Sequence, residues 1–222
     1  MSADKNLLLI MSDEHSRKWL GAYGTKIAIT PNLDKLAARA TLFSNAYCAS
    51  PICVPARAAF ATGQHLHQIG YWDNADAYDG RIGSWHHALR DAGHTVTSIG
   101  KLHFKSPIFD YGFTEQILPM YVPQGLGDLM GLLRDEVIER SGASKMASMA
   151  GPGETDYTRY DHAITQAALA CLTQRRAQRG KPWALFLSFV APHFPLTAPQ
   201  AFYDLYQPEA LPLPKLYARA QR

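Results

Sequence analysis

Leu7-Leu8-Leu9-Ile10-Met11 is an unbroken apolar run that stops on Ser12-Asp13-Glu14-His15. A strand that is apolar throughout, rather than at alternate positions, is one covered on both faces, as in parallel sheets flanked by helices. Two later segments repeat the pattern. Thr95 to Ile99 reads as a strand that runs into Gly100-Lys101-Leu102-His103, and Trp183 to Val190 as a buried strand that runs into Pro192-His193-Phe194-Pro195. Polar groups gathered just beyond strand ends fit the rule that ligands of open α/β sheets bind outside the carboxyl edge of the strands.

Helical spacing fills the intervals. Thr30-Pro31 opens a segment with apolar Leu33, Leu36, Ala37 and Ala40 at i, i+3, i+4 and i+7. Ser84 to Ala92 reads as a helix stopped by Gly93, and Tyr157 to Arg179 as a longer one with Ile164, Ala168, Cys171 and Leu172 on one side. Its basic end, Arg175, Arg176 and Arg179, suits a solvated helix C-terminus. Thr41 to Ala46 reads as a further strand. Residues 119–156, rich in Gly, Met and Ser with a weak helical stretch at 129–139, read as a loop-rich insertion. Alternating strands and helices predict an α/β fold with parallel strands.

Cys53-Val54-Pro55-Ala56-Arg57, followed by Thr62-Gly63, carries the most chemistry. Pro55 is tolerated in a first helical turn and Gly63 is a C-terminal stop, so a helix is predicted over 55–62 with Cys53 at its positive end. That placement favours an anion and predicts a lowered cysteine pKa. The C-x3-R spacing excludes the C-x5-R phosphate loop of tyrosine phosphatases.

Composition narrows the class. With 47% hydrophobic and 18% charged residues, the 222-residue chain can build a core as one large domain or two small ones. The net charge of +3 arises without basic runs interleaved with aromatics, so no nucleic acid is implied. Three cysteines at spacings that match no zinc pattern argue against a disulfide framework and for a reducing, cytoplasmic compartment. The apolar run at 7–11 is too short for a signal or membrane segment, and no membrane partner is expected.

The Cys53 to Arg57 motif with Thr62-Gly63, together with residues 9–15, 30–34, 100–103 and 192–195 in that order, resembles the type I sulfatases of the alkaline phosphatase superfamily. The likeness runs from Leu7 to Pro195. It implies an alkaline phosphatase-like sandwich with a mostly parallel central sheet flanked by helices. Residues 1–222 would be an incomplete N-terminal catalytic domain, its C-terminal part absent, because members are longer and carry further metal and sulfate ligands later on. The tail from Leu211 to Arg222 reads as a connector.

The resemblance implies that a separate maturation enzyme oxidises Cys53 to formylglycine. Its hydrate would attack the sulfur of a small organic sulfate ester and release the alcohol; the second hydroxyl would then lose its proton and expel sulfate by C–O cleavage, regenerating the aldehyde. On matching positions Asp13 is a metal ligand and residue 53 another, with Glu14 standing where many members have a second aspartate. A divalent ion, Ca2+ ahead of Mg2+ or Mn2+, suits such oxygen ligands. Arg57 would hold the diol and sulfate, Lys101 would neutralise sulfate oxygens, His103 would deprotonate the second hydroxyl, and His193 would contact sulfate or protonate the leaving oxygen. Asn74 is read either as an anion contact or as a loop cap. His15 is read either as supporting a ligand from behind or as structural, and His65 and His67 are read as structural.

Two other functions stand beside sulfate-ester hydrolysis. Phosphonate or phosphate diester hydrolases share the nucleophile, but those resembling this chain carry Tyr and Thr where it has Lys101 and His103. A non-catalytic fragment or pseudoenzyme would keep Cys53 unmodified. The short chain is expected to be poorly active alone and to leave apolar sheet surface exposed unless an oligomer or a missing C-terminal segment covers it.

Overall fold

In the computed structural model, residues 5–128, 146–177 and 182–213 are described. A parallel sheet of four strands organises them: β1 (Leu7–Ser12), β2 (Thr95–Lys101), β3 (Glu115–Met120) and β5 (Trp183–Phe189), in the order β1-β5-β2-β3. The helices are α1 (Pro31–Ala37), α2 (Cys53–Thr62), α3 (Leu66–Ile69), α4 (Trp85–Asp91), α5 (Asp156–Ala177) and the short α6 (Gln200–Tyr203). A small parallel pair, β4 (Gly151–Pro152) with β6 (Thr197–Ala198), lies apart from the main sheet. No described helix is long and apolar enough to cross a membrane.

The two-residue period of the strands divides the core. Val96, Ala184 and Phe186, with Leu9 and Met11, face a cluster built from Ala58 and Ala61 of α2, Trp85 and Leu89 of α4, and Tyr71, Tyr78 and Phe104. Ile99, Leu185 and Leu187 point to the opposite face, against Ile164, Ala168 and Cys171 of α5. The two central strands, β2 and β5, therefore bury both sets of side chains, which is why the sequence of β5 does not alternate.

The register sets two strand ends side by side. Gly100 of β2 pairs with Ser188 of β5, and Met11 of β1 pairs with the same Ser188 from the other side. Gly100 sits at φ +101, where a Cβ would overlap the Ser188 carbonyl oxygen and press the Ile164 side chain. Only glycine allows β2 and β5 to approach so closely here.

Several expectations change. The predicted strand over Thr41 to Ala46 does not form: the Phe43 carbonyl accepts from the Tyr23 hydroxyl and the Ser44 carbonyl from Arg17, so side chains satisfy acceptors that a neighbouring strand would have used. Phe43 is 70% exposed. Conversely β3, whose polar residues and Pro119 give no strand pattern, is an edge strand, where proline is tolerated. The irregular segment thus starts after Met120 rather than at Pro119, and its expected helical stretch at 129–139 lies outside the described residues. The α1 stripe forms but is not buried, Leu33 and Leu36 both being 50% exposed. Arg175 is no solvated helix end: it donates to Thr97 and lies over the Trp183 ring. Arg179 and the tail beyond Leu213 lie outside the described residues.

Candidate active site

Helix α2 begins at Cys53 itself and ends at Gly63, which adopts the left-handed conformation expected of a stop. Its first turn is anchored from another loop: the Val54 amide donates to Asn74 Oδ1 at 3.1 Å. Asn74 thus satisfies an amide in the first turn of the helix that carries Cys53.

Arg57, one turn along α2, is buried. Its Nη1 donates to the Lys101 carbonyl at 2.5 Å and to Ser188 Oγ at 3.0 Å. Nη2 lies 3.5 Å from Asp13 Oδ2 and has no hydrogen-bond partner. A buried donor without a partner is costly, and this one borders the pocket around Cys53. Lys101, fully buried at the end of β2, forms an ion pair with Asp13 Oδ2 and reaches to 4.0 Å from Cys53 Sγ.

The Asp13 carboxyl is raised by burial, but Arg57 and Lys101 more than offset this and hold it below the usual carboxylate range. The cysteine expectation is overturned. Burial pushes the Cys53 thiol up; Lys101 pulls it down, Asp13 pushes it up again, and the net direction is upward. The helix terminus and nearby cations do not make this thiol a ready thiolate, because desolvation outweighs them.

His193, on the turn after β5, joins the same cluster. Ligand atoms of Asp13, Cys53 and His193 all lie within 4.8 Å of one another. Its Nε2 is 3.7 Å from Glu14 Oε1, and its Nδ1 is 2.7 Å from the Phe194 carbonyl oxygen. A carbonyl only accepts, so Nδ1 carries the proton and Nε2 faces the carboxylates. His103 has its ring largely buried, with Nδ1 lacking a partner, and burial, then Lys101 and Arg57, lowers its pKa to about 3. It is neutral at physiological pH.

Glu14 (φ 59) and His103 (φ 52) both hold the left-handed backbone that bulky residues avoid. Each follows a strand end that feeds the site, and strain of this kind collects where surrounding structure fixes a functional geometry. The cleft above Cys53 has a volume of about 580 Å³ and is lined by Asp13, Glu14, Tyr47, Arg57 and His65 among others. His65 was read as structural, yet it faces this cleft; His67 stacks on it at 5.6 Å.

Asp13, Cys53, Arg57, Lys101 and His193 are therefore brought together, with Glu14 beside His193 and Asn74 behind α2. Ser188 was missed. A lone hydroxyl in the apolar run Trp183 to Val190 was the signal available for it.

The sulfatase family model matches residues 5–215. The chain belongs to the sulfatase family. Choline-sulfatase of Rhizobium meliloti (strain 1021) is 32% identical to this sulfatase over 98% of its chain and 45% of the relative's length. The crystal structure of Ps i-CgsB in complex with k-i-k-neocarrahexaose superposes with a TM-score of 0.63 at 26% identity, covering 92% of this chain and 49% of that one. Phosphonate monoester hydrolase of Agrobacterium radiobacter reaches a TM-score of 0.66 at 22% identity, over 94% and 45% of the two chains, a likeness of fold alone. The fold is alkaline phosphatase-like, and the chain spans about half the length of the relatives it matches.

Proposed function

We propose that this sulfatase chain carries the nucleophile half of a sulfuric-ester hydrolase that uses formylglycine made from Cys53. The observation that carries the reading is the convergence of Cys53, Arg57, Lys101, Asp13 and His193 at the carboxyl ends of β1, β2 and β5. The raised pKa of Cys53 supports a precursor rather than a thiol nucleophile.

Each side chain has a role that its surroundings suit. Arg57 presents an unpartnered N–H toward an anion, and Lys101 adds a buried positive charge where a sulfate oxygen would sit next to residue 53. His103, held neutral, is able to accept the proton of the second hydroxyl; an anionic substrate would screen Lys101 and Arg57 and so strengthen it as a base. His193 holds its proton on Nδ1, and its Nε2 faces the reacting groups.

The donor set fits a hard divalent ion in part. Asp13 and Glu14 offer carboxylate oxygens and converted residue 53 would offer another, while His193 supplies nitrogen; Ca2+ takes six to eight oxygen ligands, more than these residues provide. Such an ion would lower the pKa of a hydroxyl at residue 53 and polarise the ester. Ca2+, Mg2+ and Mn2+ are the candidates, and a small organic sulfate ester and a formylglycine-generating enzyme are the partners.

The test begins with peptide mass analysis of residue 53 after co-expression with a maturation enzyme. Conversion to the aldehyde, turnover of a sulfate ester from a panel of aryl, choline and sugar sulfates, and loss of turnover in Cys53→Ala are expected. An unmodified thiol with no turnover would favour the non-catalytic fragment. Phosphodiester or phosphonate turnover in preference to sulfate would favour the other hydrolase class.

A further inference from the structure

Helix α5 reaches the site through two side chains that the roles above do not use. Asp161, in its second turn, accepts from two consecutive backbone amides: Oδ1 from Val190 N and Oδ2 from Ala191 N, each at 2.7 Å. Those amides open the turn that presents His193, and the turn is closed by His193 N donating to the Val190 carbonyl at 2.9 Å. One helical turn before Asp161, the Tyr157 ring stands 5.9 Å from the His193 ring at 88°, an edge-to-face contact. The carboxylate fixes where the turn starts, and the phenol ring fixes how the imidazole is rotated.

We infer that Asp161 and Tyr157 are positioning residues for His193, holding its Nδ1–H on the Phe194 carbonyl so that Nε2 faces Asp13 and Cys53. The inference deepens the sulfatase reading and rests on it for its kinetic part. One carboxylate satisfies both amides at once. With Asp161 removed, Val190 N and Ala191 N must find water, the turn loosens, and the imidazole loses the constraint that selects one tautomer. Ser188 does the same for Arg57 from the strand just before this turn.

Two independent readouts test this. In the catalytically competent, converted enzyme, Asp161→Ala should lower kcat/KM about 10- to 100-fold, and the loss should vanish when the same change is made in His193→Ala, because the residue acts only through that imidazole. Asp161→Asn, which keeps one acceptor, should fall between. An equal loss in both backgrounds, or none in either, would overturn the inference.

The second readout needs no turnover. Side-chain nitrogen NMR of the 222-residue chain, assigned with His193→Ala, should show His193 as the Nδ1–H tautomer alone in the native chain and as a mixture in Asp161→Ala or Tyr157→Leu. Unchanged His193 signals in both variants would overturn it. If the full-length enzyme, with residue 53 converted, proves inactive on sulfate esters, the sulfatase reading fails while the tautomer measurement still decides the positioning. Should Asp161→Ala not fold, Asp161→Asn and Tyr157→Leu carry both readouts.

Discussion

Asn74 shows how a residue's role follows from its bonding rather than its type. Its side-chain oxygen accepts the Val54 amide, an orphan donor at the start of α2. Asn74→Ala should therefore cost about 1 kcal/mol in urea unfolding, and Asn74→Asp, which keeps the acceptor, should cost less. Equal losses in the two would mean the amide nitrogen matters more than the oxygen. Gly100→Ala should be far worse, by at least about 2 kcal/mol, because it combines a left-handed φ with overlap onto the Ser188 carbonyl. A variant with native stability would show that β2 and β5 can separate there without loss. At this scale the sequence was informative where chemistry sits on a motif, as with Cys53, Arg57 and Lys101. It offered only a lone hydroxyl in an apolar run at Ser188 and nothing at Asp161, whose partners lie far along the chain: Arg57 in one case, the turn amides of Val190 and Ala191 in the other.

Helices α2 and α5 and strand β5 were legible because burial and capping signals agree with their local sequence. Ser84 caps α4 through the His87 amide, Gly63 stops α2, and the apolar run from Trp183 forms the strand it predicts. β3 and the segment at Thr41 to Ala46 were not, for opposite physical reasons. One is a polar edge strand held by its neighbour β2; the other is a strand-like sequence with no neighbour to pair with. Pairing is a tertiary property, so local composition cannot decide it. The element carrying His86 makes a pH prediction. His86, on α4, is fully buried, and burial lowers its pKa to about 4 although its Nδ1 contacts the Tyr111 carbonyl oxygen at 2.6 Å. The unfolded chain, with an ordinary imidazole near 6.5, binds the proton that the folded chain refuses. Stability is thus full above about pH 6.5 and is lost as pH falls toward 4, by about 3 kcal/mol from this group. Urea titrations at pH 7.5 and 5 should show a steeper fall for the native chain than for His86→Met, which should start less stable. Parallel curves would mean that His86 is not the group responsible.

For the molecule as a whole, the sheet is covered unevenly. Helix α5 covers β2 and β5 on one face, but on β1 Leu8 is 43% and Ile10 61% exposed, and α1 turns Leu33 and Leu36 outward. The expected exposure of apolar sheet surface is met among the described residues. Exposed apolar strand surface of this kind promotes association. Sedimentation of the 222-residue chain should show self-association that weakens in an Ile10→Thr, Leu8→Thr double variant, with little change in Tm because threonine keeps the strand preference. A monomeric native chain would show that this face is not adhesive.

The guanidinium of Arg57 ties together residues 44 and 131 positions away along the chain, at Lys101 and Ser188, as well as Asp13 near the start. Contacts so distant in sequence form late, since each closes a long loop. The seat of Arg57 exists only once β5 has slotted between β1 and β2, so a chain elongating from its N-terminus exposes Cys53 long before its surroundings can take shape. A fluorescent or cross-linking probe on this arginine's neighbourhood would therefore time the completion of folding, not its onset.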